Sequence, residues 1–295
     1  MLQGTMTAMV TPFRSGRVDF DRLTENTHFQ IESGVDALVP VGTTGESPTL
    51  SHGEHRQVIE KVVEVANGEV TVVAGTGSNS TEEAMDLTAH AKKSGADAAL
   101  IVSPYYNKPT QEGLYRHFAT IADRIDLPIV LYNIPGRSGV TIEPKTVARL
   151  AEHENIVAVK EATGDLNLAS QIVAECDPQK LTIISGDDSL TLPLISIGAK
   201  GVISVLSNLI PDRIKAMTNA ALAGQFDTAR SMHLDLFALC DVMFIETNPI
   251  PIKTAMAMVG RDTGELRLPL CAMAEANRVR LEQVMAEHGL AASRT

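Results

Sequence analysis

The chain has 295 residues, 44% of them hydrophobic, and a formal net charge of −11. That length buries a sizeable core in one large α/β domain or two smaller ones, and the apolar share excludes a disordered chain. The acidity, with no lysine- or arginine-rich block to offset it, excludes nucleic acid as the expected partner, because a phosphate backbone needs a basic surface.

The opening stretch, MLQGTMTAMVTPF, has neither the basic region nor the long apolar run of a signal peptide, and no uninterrupted apolar stretch is long enough to span a bilayer. Cys176, Cys240 and Cys271 are far apart, with no CxxC pair, which predicts reduced thiols in a cytoplasmic protein.

In chain order, a unit of apolar strand, polar turn and amphipathic helix repeats. Short runs rich in Val and Ile predict buried parallel strands at 7–10, 37–41, 70–75, 98–102, 128–132, 156–160, 181–185 and 201–205. Between them, 51–66 opens with Ser51 and Glu54 in a capping-box pattern and carries Val58, Ile59, Val62 and Val63 at helical spacing. The segments 81–94 and 111–124 read the same way. Eight such units predict a (β/α)8 TIM barrel more than an open doubly wound sheet. A dinucleotide site on an open sheet is the nearest alternative, but neither Gly42 with Gly45 nor Gly75 with Gly77 extends to GxGxxG, since Ser80 stands where the third glycine would fall. The eighth unit ends near Gly224. Beyond it, 225–240, 251–259 and 270–288 predict three helices with no strand between them. The chain is therefore expected to divide into a catalytic barrel, 1–224, and a C-terminal helical segment, 225–295, whose tail at 291–295 frays.

In a barrel, chemistry collects at the C-terminal ends of the strands, and the unusual residues fall there. The sixth strand, IVAVK, closes on Lys160, which alternation places on one face with Ile156 and Ala158. A lysine in that position either snorkels to solvent or is buried, and burial disfavours the ammonium and leaves a nucleophile. Strand two ends in GTTGES, with Thr43 and Thr44 between glycines that let backbone amides approach a ligand. Strand four leads into SPYYNKP, with Tyr105 and Tyr106. Strand five ends in Tyr132 and continues into NIPGRSG, with Arg137. Strand seven ends in SGDD, and strand eight contains Ile203. Each has an ordinary reading: Thr43 as a helix cap, Tyr132 as a core aromatic, Arg137 as a surface charge. Together on one rim they are hard to read as packing.

The residue types suggest a chemistry. A buried amine attacks a ketone, loses water through a carbinolamine and gives an iminium, an electron sink from which the neighbouring carbon loses a proton to become an enamine nucleophile. Those steps need a proton shuttle beside the amine, for which Tyr132, Thr43 and Tyr106 are candidates. A substrate carboxylate wants amide and hydroxyl donors, as in the GTTGE loop, or a bidentate guanidinium, as at Arg137. This describes a class I aldolase acting on a keto acid. A metal is the competing catalyst: His52 and His55 form HGEH, a spacing able to bind zinc with a third ligand, although it is not HExxH. Asp187 and Asp188 precede a helix, where capping suits them better than acid–base work.

GTTGES, AGTGSN, the YYN of 105–107, YNIPGR, IVAVKEATG, SGDD and GVISV, in that order, resemble the dihydrodipicolinate synthase family, also called 4-hydroxy-tetrahydrodipicolinate synthases, from about Gly4 to about Leu290. The resemblance implies a barrel with a C-terminal helical segment. It also implies a lyase that condenses pyruvate with L-aspartate-4-semialdehyde, the first committed step toward diaminopimelate and lysine. By position, Lys160 would form the Schiff base with pyruvate, so that no metal or organic cofactor is needed. Tyr132 would be proton donor and acceptor, and Thr43 and Tyr106 would complete a relay, with Tyr106 acting across a dimer interface. Thr44 and the backbone at Ile203 would hold pyruvate, with Gly186 also in the substrate site, and Arg137 would receive the semialdehyde carboxylate. The resemblance further implies a homotetramer built as a dimer of dimers. It implies feedback by L-lysine at a cleft formed by Ser47, Pro48, His52, His55, Asn79, Glu83 and Tyr105, where Asn79 and Glu83 offer a carbonyl and a carboxylate to an ammonium group. Proline at 48, where a small residue such as alanine is common, departs from the pattern at this cleft.

Sister aldolases on the same barrel, such as N-acetylneuraminate lyase or keto-deoxy-sugar-acid aldolases, share the lysine, the tyrosine and the glycine loop. Arg137 separates them, because the semialdehyde-condensing enzymes carry an arginine there and the sugar-acid lyases generally do not. A non-catalytic sensor on this fold would be expected to lose Lys160 or Tyr132, and both are present.

Overall fold

The computed structural model describes residues 2–290. Eight parallel strands close into a barrel: β1 (Gly4–Ala8), β2 (Ala37–Val39), β3 (Thr71–Gly75), β4 (Ala98–Val102), β5 (Ile129–Asn133), β6 (Ile156–Glu161), β7 (Thr182–Ser185) and β8 (Gly201–Ser204). Each strand pairs with its sequence neighbours, and β1 pairs with β8 to complete the ring. Alternation sends Met6, Val39, Val73, Leu100, Val130, Ala158, Ile184 and Ile203 into the barrel interior. The other faces of the strands pack against the surrounding helices, with Leu38, Val72, Ile101, Leu131 and Val159 in that outer core.

The helices are α1 (Phe20–Glu32), α2 (His52–Ala66), α3 (Thr81–Ser94), α4 (Gln111–Arg124), α5 (Pro135–Ser138), α6 (Pro144–Leu150), α7 (Leu166–Glu175), α8 (Thr191–Ser196) and α9 (Pro211–Leu222). The helices α10 (Phe226–Val242), α11 (Ile250–Met258) and α12 (Glu275–Glu287) follow the barrel. The capping box at α2 forms in both directions, Glu54 N to Ser51 Oγ and Ser51 N to Glu54, and the helix buries Val58, Ile59 and Val62. The C-terminal helices share a core with the barrel. Leu236, Leu239, Met243, Ile252, Met256 and Leu281 pack in one cluster with Val205, Leu206, Ile214 and Met217. The tail at 291–295 lies outside the described residues.

The differences from the sequence reading have physical causes. The first strand begins at Gly4, because Thr5 and Thr7 are fully buried strand residues with no apolar signature, and Thr7 Oγ1 donates to Gln30 Oε1 at 2.8 Å. The second strand stops at Val39, because Val41 takes φ +58, a left-handed conformation a β-branched residue adopts only under constraint. In β6 the register against β5 shifts between Ile129/Val130, pairing Ile156 and then Ala158, so that Val157 is the extra residue. Ile156 therefore packs in the outer core, and Lys160 follows Ala158 on the interior face. The helices α5 and α6 and a two-stranded ribbon, Phe13–Arg14 with Arg17–Val18, carry no periodic apolar signal and were not predicted. The last helix starts at Glu275 instead of 270, because Arg267 is tied to Glu54 and to the Gly16 carbonyl and draws the preceding chain across the barrel.

Cys176, Cys240 and Cys271 are free thiols. Among the described residues no helix is long and apolar enough to cross a membrane.

One buried histidine makes stability depend on pH. His117 on α4 faces Thr81 Oγ1 at 2.9 Å and the edge of Phe118 at 5.0 Å, and burial pushes its pKa down to about 4. The unfolded imidazole, ordinarily near 6.5, takes up its proton first, so this contribution is full above about pH 6.5 and is lost as pH falls toward 4. The carboxyls of Glu161, Asp188 and Asp262, pushed up by burial, titrate with the opposite sign, and comparison of a variant with its parent cancels them. In urea unfolding at pH 7 and pH 5, a His117→Phe chain should lose about 2 kcal/mol less than the parent between the two pH values. Equal losses would remove His117 from this account.

Candidate active site

At the C-terminal rim, the β5–β6 register sets Tyr132 directly beside Lys160. The Lys160 ammonium lies 4.1 Å from the centre of the Tyr132 ring, and the side chain is 5% exposed. Among the described residues no carboxylate lies within ion-pairing distance of it. A buried ammonium without an anionic partner is expensive, and the aromatic face offsets only part of that cost. Gly186 makes room for it: a Cβ there would stand 3.0 Å from Lys160 Cε and 2.7 Å from the Ala162 Cβ, while the Gly186 amide donates to the Glu161 carbonyl at 2.8 Å.

One residue further along, on the opposite face, Asn133 pairs with Glu161. Asn133 Nδ2 donates to Glu161 Oε2 at 3.1 Å, and Asn133 also binds the Ile142 amide at 2.9 Å and the Ile142 carbonyl at 3.1 Å. Glu161 Oε1 accepts from the Thr163 amide at 2.7 Å, and burial pushes its carboxyl pKa up. This clamp pins the strand ends and closes the 134–142 loop that carries Arg137, which explains the polar residue following both Tyr132 and Lys160.

On the loop after β2, Thr44 is buried, and its Oγ1 accepts from Asn248 Nδ2 at 3.0 Å. The Asn248 carbonyl in turn accepts from Arg137 Nη2 at 3.1 Å. Asn248 precedes α11 and thus joins the C-terminal segment to two rim loops. Ile203 is buried in the barrel interior. Asp187 caps the turn that follows it through the Ser189 amide at 2.9 Å. Asp188 reaches across to β8 instead, accepting from Ser204 Oγ at 2.5 Å and from the Val205 and Leu206 amides.

A cavity of about 390 Å³ opens at this rim, lined by Thr43, Tyr132 and Arg137. Thr44, Lys160, Gly186 and Ile203 do not line it; Lys160 lies one side chain away, on the Tyr132 ring. The same cavity is lined by Ser47, Pro48, His52, His55, Glu83 and Tyr105, so members of both groups singled out in the sequence face one space. Asn79 is not in the lining: its Nδ2 donates to the Tyr105 carbonyl at 3.1 Å and its carbonyl accepts from Asn107 Nδ2 at 2.9 Å, fastening the tyrosine loop. Glu83 accepts from Ser78 Oγ and lies 3.2 Å from His52 Nε2. His55 Nε2 donates to the Gly75 carbonyl at 2.8 Å, and burial pushes this imidazole down to about 4. Among the described residues no group of three His, Cys, Asp or Glu side chains gathers as a metal site. Tyr106 does not line this cavity and is 89% exposed, at φ +73. With Val41 (φ +58), Glu46 (φ +52) and Lys108 (φ +44), it belongs to a set of left-handed non-glycine residues concentrated near this rim.

The Dihydrodipicolinate synthetase family profile matches residues 1–288. The 4-hydroxy-tetrahydrodipicolinate synthase of Geotalea uraniireducens (strain Rf4) is 55% identical over 98% of this chain and all of its own. The chain belongs to this family. Among solved members, the chloride-inhibited dihydrodipicolinate synthase of Acinetobacter baumannii complexed with pyruvate superimposes with a TM-score of 0.96 at 44% identity, covering 98% of this chain and 100% of that one. The enzyme of Cyanidioschyzon merolae with lysine bound gives 0.95 at 40% identity, with 98% of each chain covered. For a member of the dihydrodipicolinate synthetase family, the sequence reading missed three parts of the rim. They are the Asn133–Glu161 clamp, Asn248, and the buried pair of Glu46 with Lys253. A lone lysine in the apolar stretch IPIKTAMAM was the one signal that pointed to the last of these.

Proposed function

We propose that the chain condenses pyruvate with L-aspartate-4-semialdehyde through a Schiff base on Lys160, giving 4-hydroxy-tetrahydrodipicolinate in lysine and diaminopimelate biosynthesis. The observation that carries this reading is the Lys160–Tyr132 pair. It sets an amine with no carboxylate partner among the described residues on the ring of a tyrosine that lines a cavity with Thr43 and Arg137. The Lys160 amine attacks the keto carbon of pyruvate, the carbinolamine loses water, and the iminium lets the methyl carbon give up a proton to form an enamine. The enamine carbon bonds to the aldehyde carbon, and the aldehyde oxygen takes a proton. The substrate amino group then attacks the imine carbon and displaces Lys160. Tyr132 moves these protons with Thr43. Thr44, Gly186 and the backbone at Ile203 hold the keto acid, and Arg137 pairs with the semialdehyde carboxylate at the mouth. The iminium is the electron sink, so no metal or organic cofactor enters.

The exposure of Tyr106 supports a role outside its own cavity, as the third hydroxyl of the relay in a neighbouring subunit of a homotetramer. The cavity extension lined by Ser47, Pro48, His52, His55, Glu83 and Tyr105, with Asn79 fixing its wall, supports L-lysine as an inhibitor, its ammonium meeting the Glu83 carboxylate. The lysine-bound Cyanidioschyzon merolae relative supports the same assignment. Three free cysteines support a cytoplasmic setting.

To test the reading, pyruvate and aspartate semialdehyde are supplied with the downstream reductase and cofactor oxidation is followed. The parent chain should turn over. An Arg137→Ala chain should lose about 10²-fold or more in kcat/KM for the semialdehyde while still forming the pyruvate adduct. Equal loss of both would contradict the role given to Arg137, and cleavage of a sugar acid in place of condensation would replace the reaction.

A further inference from the structure

The GTTGES loop is gripped from behind by a charge from the far end of the chain. Lys253, on α11, is fully buried. Its ammonium donates to Glu46 Oε1 at 2.7 Å and to the Thr11 carbonyl at 2.9 Å, and stands 4.2 Å from the centre of the Phe13 ring. Glu46 is 2% exposed, and its second oxygen accepts from the Arg267 amide at 3.1 Å. The Arg267 guanidinium lies 4.3 Å from the same Phe13 ring and pairs with Glu54. Glu46 itself sits at φ +52, a conformation its side chain disfavours, with its amide on the Thr43 carbonyl at 3.1 Å. Its neighbour Gly45 accepts from Thr11 Oγ1 at 2.7 Å.

Apolar side chains of similar volume would fill such a site at less cost, because two charges taken out of water recover their desolvation only in one good geometry. What an ion pair adds is that geometry. We infer that Lys253 and Glu46 are positioning residues, an internal latch by which the C-terminal helices hold the 42–47 turn with Glu46 in its left-handed conformation and so fix where the Thr43 and Thr44 hydroxyls stand. The inference rests on the proposed roles of those two threonines. Without the ammonium, the buried Glu46 carboxylate loses the charge it pairs with, and the turn it anchors is released.

Three variants test the latch: Lys253→Met, Glu46→Gln and the double substitution, each measured by steady-state kinetics, thermal melting and backbone hydrogen exchange. At temperatures where each single variant is folded, kcat should fall about tenfold or more and the KM for pyruvate should rise. Exchange should quicken across 42–50 and stay at the parent rate across 129–133. The double variant, with neither charge left buried, should regain melting temperature without regaining kcat; if Lys253→Met does not fold, the double variant decides. Folded variants with the parent's kcat and pyruvate KM, or exchange that quickens evenly over the whole barrel, would reduce the pair to a structural staple and overturn the inference. A parent chain that does not turn over would count against the proposed function instead, and the exchange pattern would still judge the latch.

Discussion

A Lys160→Met chain is expected to melt at or above the parent's temperature and to lose at least about 10³-fold in turnover, because the covalent step has no other route. Methionine has nearly the length of the lysine stem and carries no charge. The parent ammonium is 5% exposed, has no carboxylate partner among the described residues and rests on the Tyr132 ring, so its removal relieves an uncompensated buried charge. A gain or no change in stability with loss of chemistry marks a residue kept for function against the interest of the fold. The other buried lysine, Lys253, is held by Glu46 and Thr11 and offers no substitute. Thermal melting and the coupled assay on one preparation decide the matter. Substantial residual turnover, or a collapse in melting temperature, would contradict the assignment.

Tyr132→Phe should lower kcat by about 10²- to 10⁴-fold, the range that a positioned general acid–base supplies, with little change in fold. The substitution keeps the ring beside Lys160 and removes only the hydroxyl of a residue that lines the cavity together with Thr43. Imine formation at saturating pyruvate should persist more slowly, while condensation suffers the full loss. A kcat within threefold of the parent would pass the proton-transfer role to another group.

How much of this was legible before the structure depends on the distance over which each feature is made. The eight strands, α3 and α4 followed from local patterns, since apolar alternation and capping act within a few residues. The rim residues were legible for a related reason, because each falls within, at the end of, or in the loop following a strand that is itself locally encoded. What stayed hidden depends on contacts across the chain. The face of Lys160 was obscured by the extra residue at Val157, visible only once β5 and β6 are paired. Asn133 and Glu161 lengthen their strands because their side chains bind each other, a cross-strand fact without a local signature. Val41 is driven into a left-handed conformation at a site where propensity argues against it. Asn248, Lys253 and Arg267 reach the GTTGES loop from roughly 200 residues away, and no periodicity connects them. The C-terminal helices read as an extension packed on the barrel; they share a core with it, and the groups by which they grip its rim were not legible.

The most direct test of the central claim is to incubate the parent chain with pyruvate and borohydride, digest it and weigh the peptides. The peptide bearing Lys160 should gain the mass of one reduced pyruvate imine, and a Lys160→Met chain should gain none. No adduct in the parent, or an adduct on another lysine, would contradict a Schiff-base mechanism at this site.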